Sequence, residues 1–196
     1  MIVSVFVAMA ILGCSEKDDE VVVELPKEEK IGADDLKEMM RKLQEHVLAG
    51  DDEMAIEMAQ RLFPTQQTLS MACIFDANPD RYQKVSAWIE SVKPRDQRNY
   101  LKIYPFRPWQ TEIKVSLMTG AELASGEGDL EGFHEQAGVL AKTGLLRPDQ
   151  EFYSVEFRKP VDEVGQRFEV FVWDSDKMVW KMLGPIWRAL SHSSKV

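Results

Sequence analysis

The side chains that could carry chemistry in this 196-residue chain are three histidines, two cysteines and a few clusters of acids and aromatics. Their spacing decides which chemistry is available. His46, His134 and His192 stand far apart, and none has a second histidine three or four residues away, so the spacing that builds a zinc site on a helix is missing. Only His134 has a carboxylate beside it, Glu135. An imidazole near a carboxylate can be tuned to move a proton at neutral pH, which makes His134 and Glu135, with Asp80, the acid/base residues to expect if the protein is an enzyme. A histidine on a solvated surface is the plainer alternative. Asp76, Asn78 and Asp80 have the opening spacing of a calcium loop, but Arg81 stands where the turn needs glycine and Ala87 where a bidentate glutamate belongs. Gly126-Glu127-Gly128 lacks the strand and helix that a dinucleotide fingerprint requires, and there is no phosphate-binding loop or nucleophile elbow. No metal and no cofactor is expected, and no catalytic set is assigned. Cys73 sits in the apolar run Leu69 to Phe75 with no histidine near it in sequence, which describes a buried structural thiol and not an activated one.

One segment has the composition of a recognition surface. Between Tyr100 and Trp109, Tyr104, Phe106, Arg107 and Trp109 could form an aromatic rim with a cation, suited to an acidic or sugar-like ligand. Aromatics and prolines in a connection also serve to fasten it to the domain, and both readings stay open. Trp187-Arg188 carries the same choice.

The elements that must position these groups follow from periodicity. Asp34 and Asp35 open a helix with Leu36, Met39, Met40, Leu43 and Val47 on one face, and Gly50 ends it. Asp51 and Asp52 start a second, with Met54, Ala55, Met58, Ala59 and Leu62 as its stripe and Pro64 as its stop. Thr65 or Thr68 caps a third through Phe75. Asn78-Pro79 starts a fourth, with Tyr82, Val85, Trp88, Ile89 and Val92 facing inward. Lys93 to Trp109 shows neither period and reads as an irregular connection, and Gly120 to Gly132 reads as an exposed loop. Phe133 to Leu146 has weaker helical spacing. Glu112 to Met118 alternates, with Ile113, Val115 and Leu117 on one face, and three further strands are expected at Glu151 to Arg158, Arg167 to Trp173 and Met178 to Leu183. Asp174 to Lys177 has the residues of a hairpin turn. Helices first and antiparallel strands afterwards is the α+β order: N-terminal helices packed on a C-terminal antiparallel sheet of about four strands.

With 44% hydrophobic and 29% charged residues, the chain can bury one sizeable core. Its net charge of −9 leaves no surplus of Lys and Arg for a phosphate backbone, which excludes nucleic acid as the expected partner.

Residues 2–13 form an apolar run too short to span a bilayer but suited to the core of a signal peptide. The run ends Ala10-Ile11-Leu12-Gly13-Cys14, which resembles the bacterial lipobox. The resemblance implies a diacylglyceryl thioether on Cys14, fatty acyl chains such as palmitate, and a location outside the cytoplasm on a membrane of the cell envelope. An ordinary signal peptide or a buried N-terminal strand is the alternative. Ser15 to Lys30 is acidic and nearly free of aromatics, as a solvated tether is, apart from Val21-Val22-Val23. The expected organisation is therefore a signal peptide over 1–14, a tether over 15–32, one α+β domain over 33–190 and a polar tail over 191–196.

Two weaker resemblances concern the domain. Leu48-Ala49-Gly50-Asp51 between two early helices, with a late hairpin ending Val179-Trp180-Lys181-Met182, looks like the NTF2-like or cystatin-like α+β group. Phe152 to Phe157 followed by Trp180 to Arg188 resembles uncharacterised lipoproteins of planctomycete-type bacteria, from which no activity carries over. The function these readings favour is a non-catalytic lipoprotein that binds a small ligand or an envelope protein. A small hydrolase or isomerase with a pocket between helices and sheet, or an envelope structural or assembly protein, are the other readings.

Overall fold

Helical spacing in the first half and alternation in the second translate into helices α1 (Ala33–Ala49), α2 (Asp52–Leu62), α3 (Gln66–Ala72) and α4 (Pro79–Val92), followed by strand β1 (Glu112–Thr119). Short helices α5 (Gly120–Ser125) and α6 (Glu135–Lys142) precede strands β2 (Glu151–Arg158), β3 (Gln166–Asp174) and β4 (Val179–Met182), and α7 (Arg188–Ser191) ends the order. The computed structural model describes residues 31–74, 79–128, 130–161 and 165–191, and these belong to one unit that begins at Ile31. Cys14, Val21 to Val23, Asp76, Asn78 and His192 lie outside the described residues. The α+β expectation holds: the strands pair antiparallel in the order β1-β2-β3-β4. No helix among the described residues is long and apolar enough to cross a membrane.

Helices cover both faces of this sheet. Leu36, Met40 and Leu43 of α1 and Ala55, Ala59 and Leu62 of α2 pack with Tyr153, Val155, Phe157, Phe168, Phe171 and Trp180 on one face. Leu69 of α3, Val85 and Ile89 of α4, Leu123 of α5 and Leu140 of α6 pack with Met118, Phe152, Val170 and Val172 on the other. Six consecutive residues of β2, Phe152 to Phe157, are buried as a result. A strand covered on both sides reads as a continuous run and not as an alternation. Ile113 and Val115 face the α1/α2 layer as their spacing predicts, but Leu117 is 45% exposed, while Ser116 and Met118 are buried on the opposite face.

The β2–β3 register contains the feature that sets the second half of β3. Val155 pairs with Phe168 and Ser154 with Glu169, yet Tyr153 pairs with Phe171, so Val170 is an extra residue. A bulge of this kind places two successive side chains on one side and reverses the alternation beyond it. Glu169 and Val170 both face the α6 side in consequence, and Phe171 returns to the α1/α2 side with Phe168.

Several elements depart from the sequence reading. The cap of α1 is Gly32, whose N–H donates to Asp35 Oδ2 at 2.9 Å, so the two aspartates occupy the first turn instead of capping it. Gly120 to Gly132 is not a plain loop: Thr119 and Glu122 form a reciprocal capping box that starts α5, and Leu130–Gly132 is a 3-10 turn. The Thr119 N–H and hydroxyl hydrogen bonds hold the Glu122 carboxyl below its usual range. Gln97–Ile103 within the expected irregular connection is a 3-10 helix capped by Asp96. α3 stops at Ala72, capped by Thr65, and α6 is confined to Glu135–Lys142 because Leu146 leaves the helix to bridge Cys73. Cys73 is 1% exposed, and burial pushes its thiol up to about 12 against the opposing charge of Arg147, consistent with a structural role.

The expected aromatic rim is divided by the fold. Tyr104 and Phe106 are 1% and 5% exposed, with Phe106 4.7 Å from Phe157 and 5.4 Å from Phe168 between ring centroids, while Arg107 and Trp109 remain outside. These two rings fasten the connection to the α1/α2 face of the sheet, and burial also drives the Tyr104 hydroxyl well above its usual range. Phe106→Ala should therefore lower unfolding stability by about 3 kcal/mol or more, and Trp109→Ala by about 0.5 kcal/mol or less, in urea denaturation. Equal, small effects would return Phe106 to the surface rim.

Candidate functional site

Charged side chains on the middle strands of a sheet covered on both faces are the sites where chemistry has to be sought, because an ionised group taken out of water needs a partner or loses its charge. Glu156 of β2 and Arg167 of β3 pair directly in the register, and Glu169 follows two residues on. Arg158, at the end of β2, adds a second guanidinium.

Glu156 is fully engaged. Its Oε1 accepts from the Gly165 N–H at 2.9 Å and lies 3.4 Å from Arg167 Nη2, and its Oε2 lies 3.3 Å from Arg158 Nη2. Gly165 can approach this closely because it has no side chain: a Cβ there would stand 2.2 Å from the Phe157 carbonyl oxygen.

Glu169 is arranged differently. Its Oε1 accepts the His134 backbone N–H at 2.6 Å and stands 3.8 Å from Arg167 Nε. Its Oε2 is buried with no hydrogen-bond partner among the described residues, and so are Arg167 Nε and the hydroxyl of Ser154, the residue opposite Glu169 in the ladder. Burial pushes the Glu169 carboxyl up to about 7; the His134 N–H and Arg167 oppose this rise, and the nearby Glu156 adds to it.

Above these groups opens a cleft of about 470 Å³. Gly165, Arg167 and Glu169 line it from β3 and its approach, His134 from the N-cap of α6, and Pro185, Trp187 and Arg188 from the segment after β4. The His134 and Trp187 rings stack at 5.5 Å with 15° between planes, and His134 Nδ1 accepts the Gln136 N–H at 3.1 Å. Trp187 also packs against the Val170/Leu140 core, so the platform is anchored from below. The cleft thus combines a flat aromatic wall, two guanidinium groups and a buried carboxyl poised to gain or lose a proton.

Among the residues expected from sequence to do acid/base work, the fold brings only His134 to this cleft. Glu135, next in the chain, is exposed in the first turn of α6, and Asp80 is exposed in the first turn of α4. Asp80 and His134 do not share a site. Glu156, Arg167 and Glu169 were missed as site residues because they lie inside strands. The signal that could have found them is their charge within apolar surroundings, Tyr153-Ser154-Val155-Glu156-Phe157 and Phe168-Glu169-Val170-Phe171, since buried carboxylates and guanidinium groups occur only with partners. Among the described residues no three His, Cys, Asp or Glu side chains come together as a metal-binding group. Compared with protein-family models, curated proteins and solved structures, the chain matches none.

Because the folded-state affinity of Glu169 for its proton is raised, the folded protein holds more protons than the unfolded chain between about pH 4.5 and 7. The contribution of Glu169 to stability is whole below the unfolded value and is lost as pH rises through about 7, by roughly 3 kcal/mol at most. Thermal unfolding of wild type should fall across that window relative to Glu169→Gln, whose profile lacks this component. Parallel profiles would show that Glu169 titrates as an ordinary carboxyl.

Proposed function

We propose that this domain binds a small polar ligand in the cleft between α6, the Glu169 end of β3 and the Pro185–Arg188 segment, on a protein held by a lipid at Cys14 to a membrane of the bacterial envelope. The observation that carries the binding reading is the unpartnered oxygen of Glu169, a residue that lines the cleft. A buried carboxyl oxygen with no partner among the described residues, beside an arginine N–H that also lacks one there, is costly to the folded protein and lowers its energy when a ligand supplies the missing hydrogen bonds. The stacked His134 and Trp187 rings give that ligand a flat apolar wall, the usual complement of a few fixed polar groups in a binding cleft.

A second reading, a small hydrolase or isomerase, is favoured by the same carboxyl, because a group that titrates near neutrality inside a cleft can serve as a general acid or base. Glu169, with His134 at the rim, replaces Asp80 and Glu135 as the residue to mutate under that reading.

A library of small polar compounds, followed by the Trp187 indole and Gly165 amide resonances, tests the cleft directly. Ligands should shift these two signals together, and Trp187→Ala should weaken them about tenfold, the equivalent of 1–2 kcal/mol of ring contact. Hits that perturb only other surfaces would remove the proposal, and hits converted to products over hours would move it to the enzymatic reading.

The anchoring at Cys14 rests on the Ala10 to Cys14 lipobox resemblance and on the acidic stretch after it. In a bacterial host, the wild-type chain should enter the detergent phase and carry the added mass of a diacylglyceryl group, and Cys14→Ser should do neither. The same mass and the same aqueous partitioning for both forms would contradict it.

A further inference from the structure

Resting on the cleft as the binding site, we propose that its floor is an oxyanion subsite, in which a carboxylate, phosphate or sulfate group lies between Arg167 and a protonated Glu169, so that binding takes up a proton. Arg167 and Glu169 line the cleft, and they and Ser154 each carry a buried polar atom that has no hydrogen-bond partner among the described residues, so the types of these atoms restrict what fits. Arg167 Nε–H is always a donor. Glu169 Oε2 is a donor when protonated and an acceptor when ionised, and Ser154 Oγ, 1% exposed and opposite Glu169 in the ladder, serves as either.

The surrounding charge chooses between the two states. Facing Glu169 are Arg167 on its own strand, Glu156 on β2, His134 at the start of α6 and Arg188 on the C-terminal segment, with Arg158 behind Glu156. Glu156 is satisfied by Gly165, Arg158 and Arg167 and offers a ligand nothing. With Glu169 protonated, the described residues at the floor set the guanidinium groups of Arg158 and Arg167 against the carboxylate of Glu156, a local positive excess in a chain of net charge −9. A cationic ligand is repelled there. An oxyanion receives the Arg167 N–H and the Glu169 O–H together, as charge-assisted hydrogen bonds. No covalent bond forms or breaks; the one proton taken up comes from solvent and stays on Glu169. Phosphate and carboxylate groups belong to different metabolites, and the shared chemistry is the planar or tetrahedral oxyanion.

The probes are benzoate, its uncharged isostere benzamide, and sulfate, titrated into the whole protein at pH 6 and pH 8 while the Trp187 and Gly165 resonances are followed. Benzoate and sulfate keep their charge across this range, so any pH dependence belongs to the protein. Because the protonated fraction of a group titrating near 7 falls about tenfold over this range, benzoate affinity should fall about tenfold from pH 6 to pH 8, and sulfate likewise if tetrahedral oxyanions are accepted. Glu169→Gln, which supplies a permanent donor, should bind benzoate equally at both pH values, and Arg167→Lys should lose at least tenfold at both. His134→Gln should keep the wild-type pH dependence, which separates Glu169 from the imidazole. Benzamide binding as tightly as benzoate would overturn the oxyanion subsite while leaving the cleft a binding site. Affinity for benzoate that is flat or rises with pH, or a pH dependence abolished by His134→Gln, would overturn the proton uptake on Glu169. Absence of any cleft signal with benzoate, sulfate and benzamide alike would overturn the subsite too, and the wider ligand library then decides the cleft.

Discussion

A carboxyl group enclosed in a sheet face must either find cations and hydrogen-bond donors or give up its charge, and this domain solves the problem twice, in opposite ways, on neighbouring strands. Glu156 keeps two guanidinium groups and a backbone N–H. Glu169 has one backbone N–H and a distant share of the same arginine, and burial raises its carboxyl toward neutrality. Arg167 joins the two. Removing it leaves one buried acid short of a cation and the other without the guanidinium of its own strand, which is why the strand ends, the β2–β3 connection and the α6 cap are tied to a single side chain.

The rest of the architecture holds that cluster in place. The bulge at Val170 turns Glu169 toward α6 while returning Phe171 to the opposite core, so one inserted residue satisfies both the polar cleft and the aromatic layer. α6 starts at the point where its cap residue reaches Glu169 with a backbone N–H, and Trp187 then closes the cleft by stacking on the ring of the same cap residue. At the edge strand, Lys181 shows the same economy: it is buried with its ammonium on the carbonyls of Arg61 and Phe63, holding the end of α2 to β4, and burial lowers its affinity for its proton.

The long helices and all four strands were legible in the sequence, β2 at Glu151–Arg158 among them although both of its faces are covered, whereas α5 and the cleft were not. α1 and α2 follow from Leu36, Met40, Leu43 and Ala55, Ala59, Leu62 at helical spacing, and the β3–β4 hairpin from Asp174 to Lys177. α5 was obscured by the glycines around it, although Thr119-Gly120-Ala121-Glu122 carries its capping box in plain view. Tyr104 and Phe106 could not be told from a surface rim, because aromatic residues in a connection have the same composition whether they face ligand or core. The cleft was out of reach for a different reason. His134, Glu169 and Trp187 are separated by long stretches of chain, and their meeting depends on strand register and on one bulge, neither of which leaves a periodic trace.

The account stands on the titration of Glu169, and carboxyl-labelled glutamate NMR, with Glu169→Gln to assign the signal, measures it directly. A midpoint near 7, well apart from the exposed glutamates, is what the burial and sparse partnering of this group predict. A midpoint in the ordinary range, about 4 to 4.5, would mean that Glu169 is charged and solvated at neutral pH, and the cleft would then have no proton to exchange with a ligand.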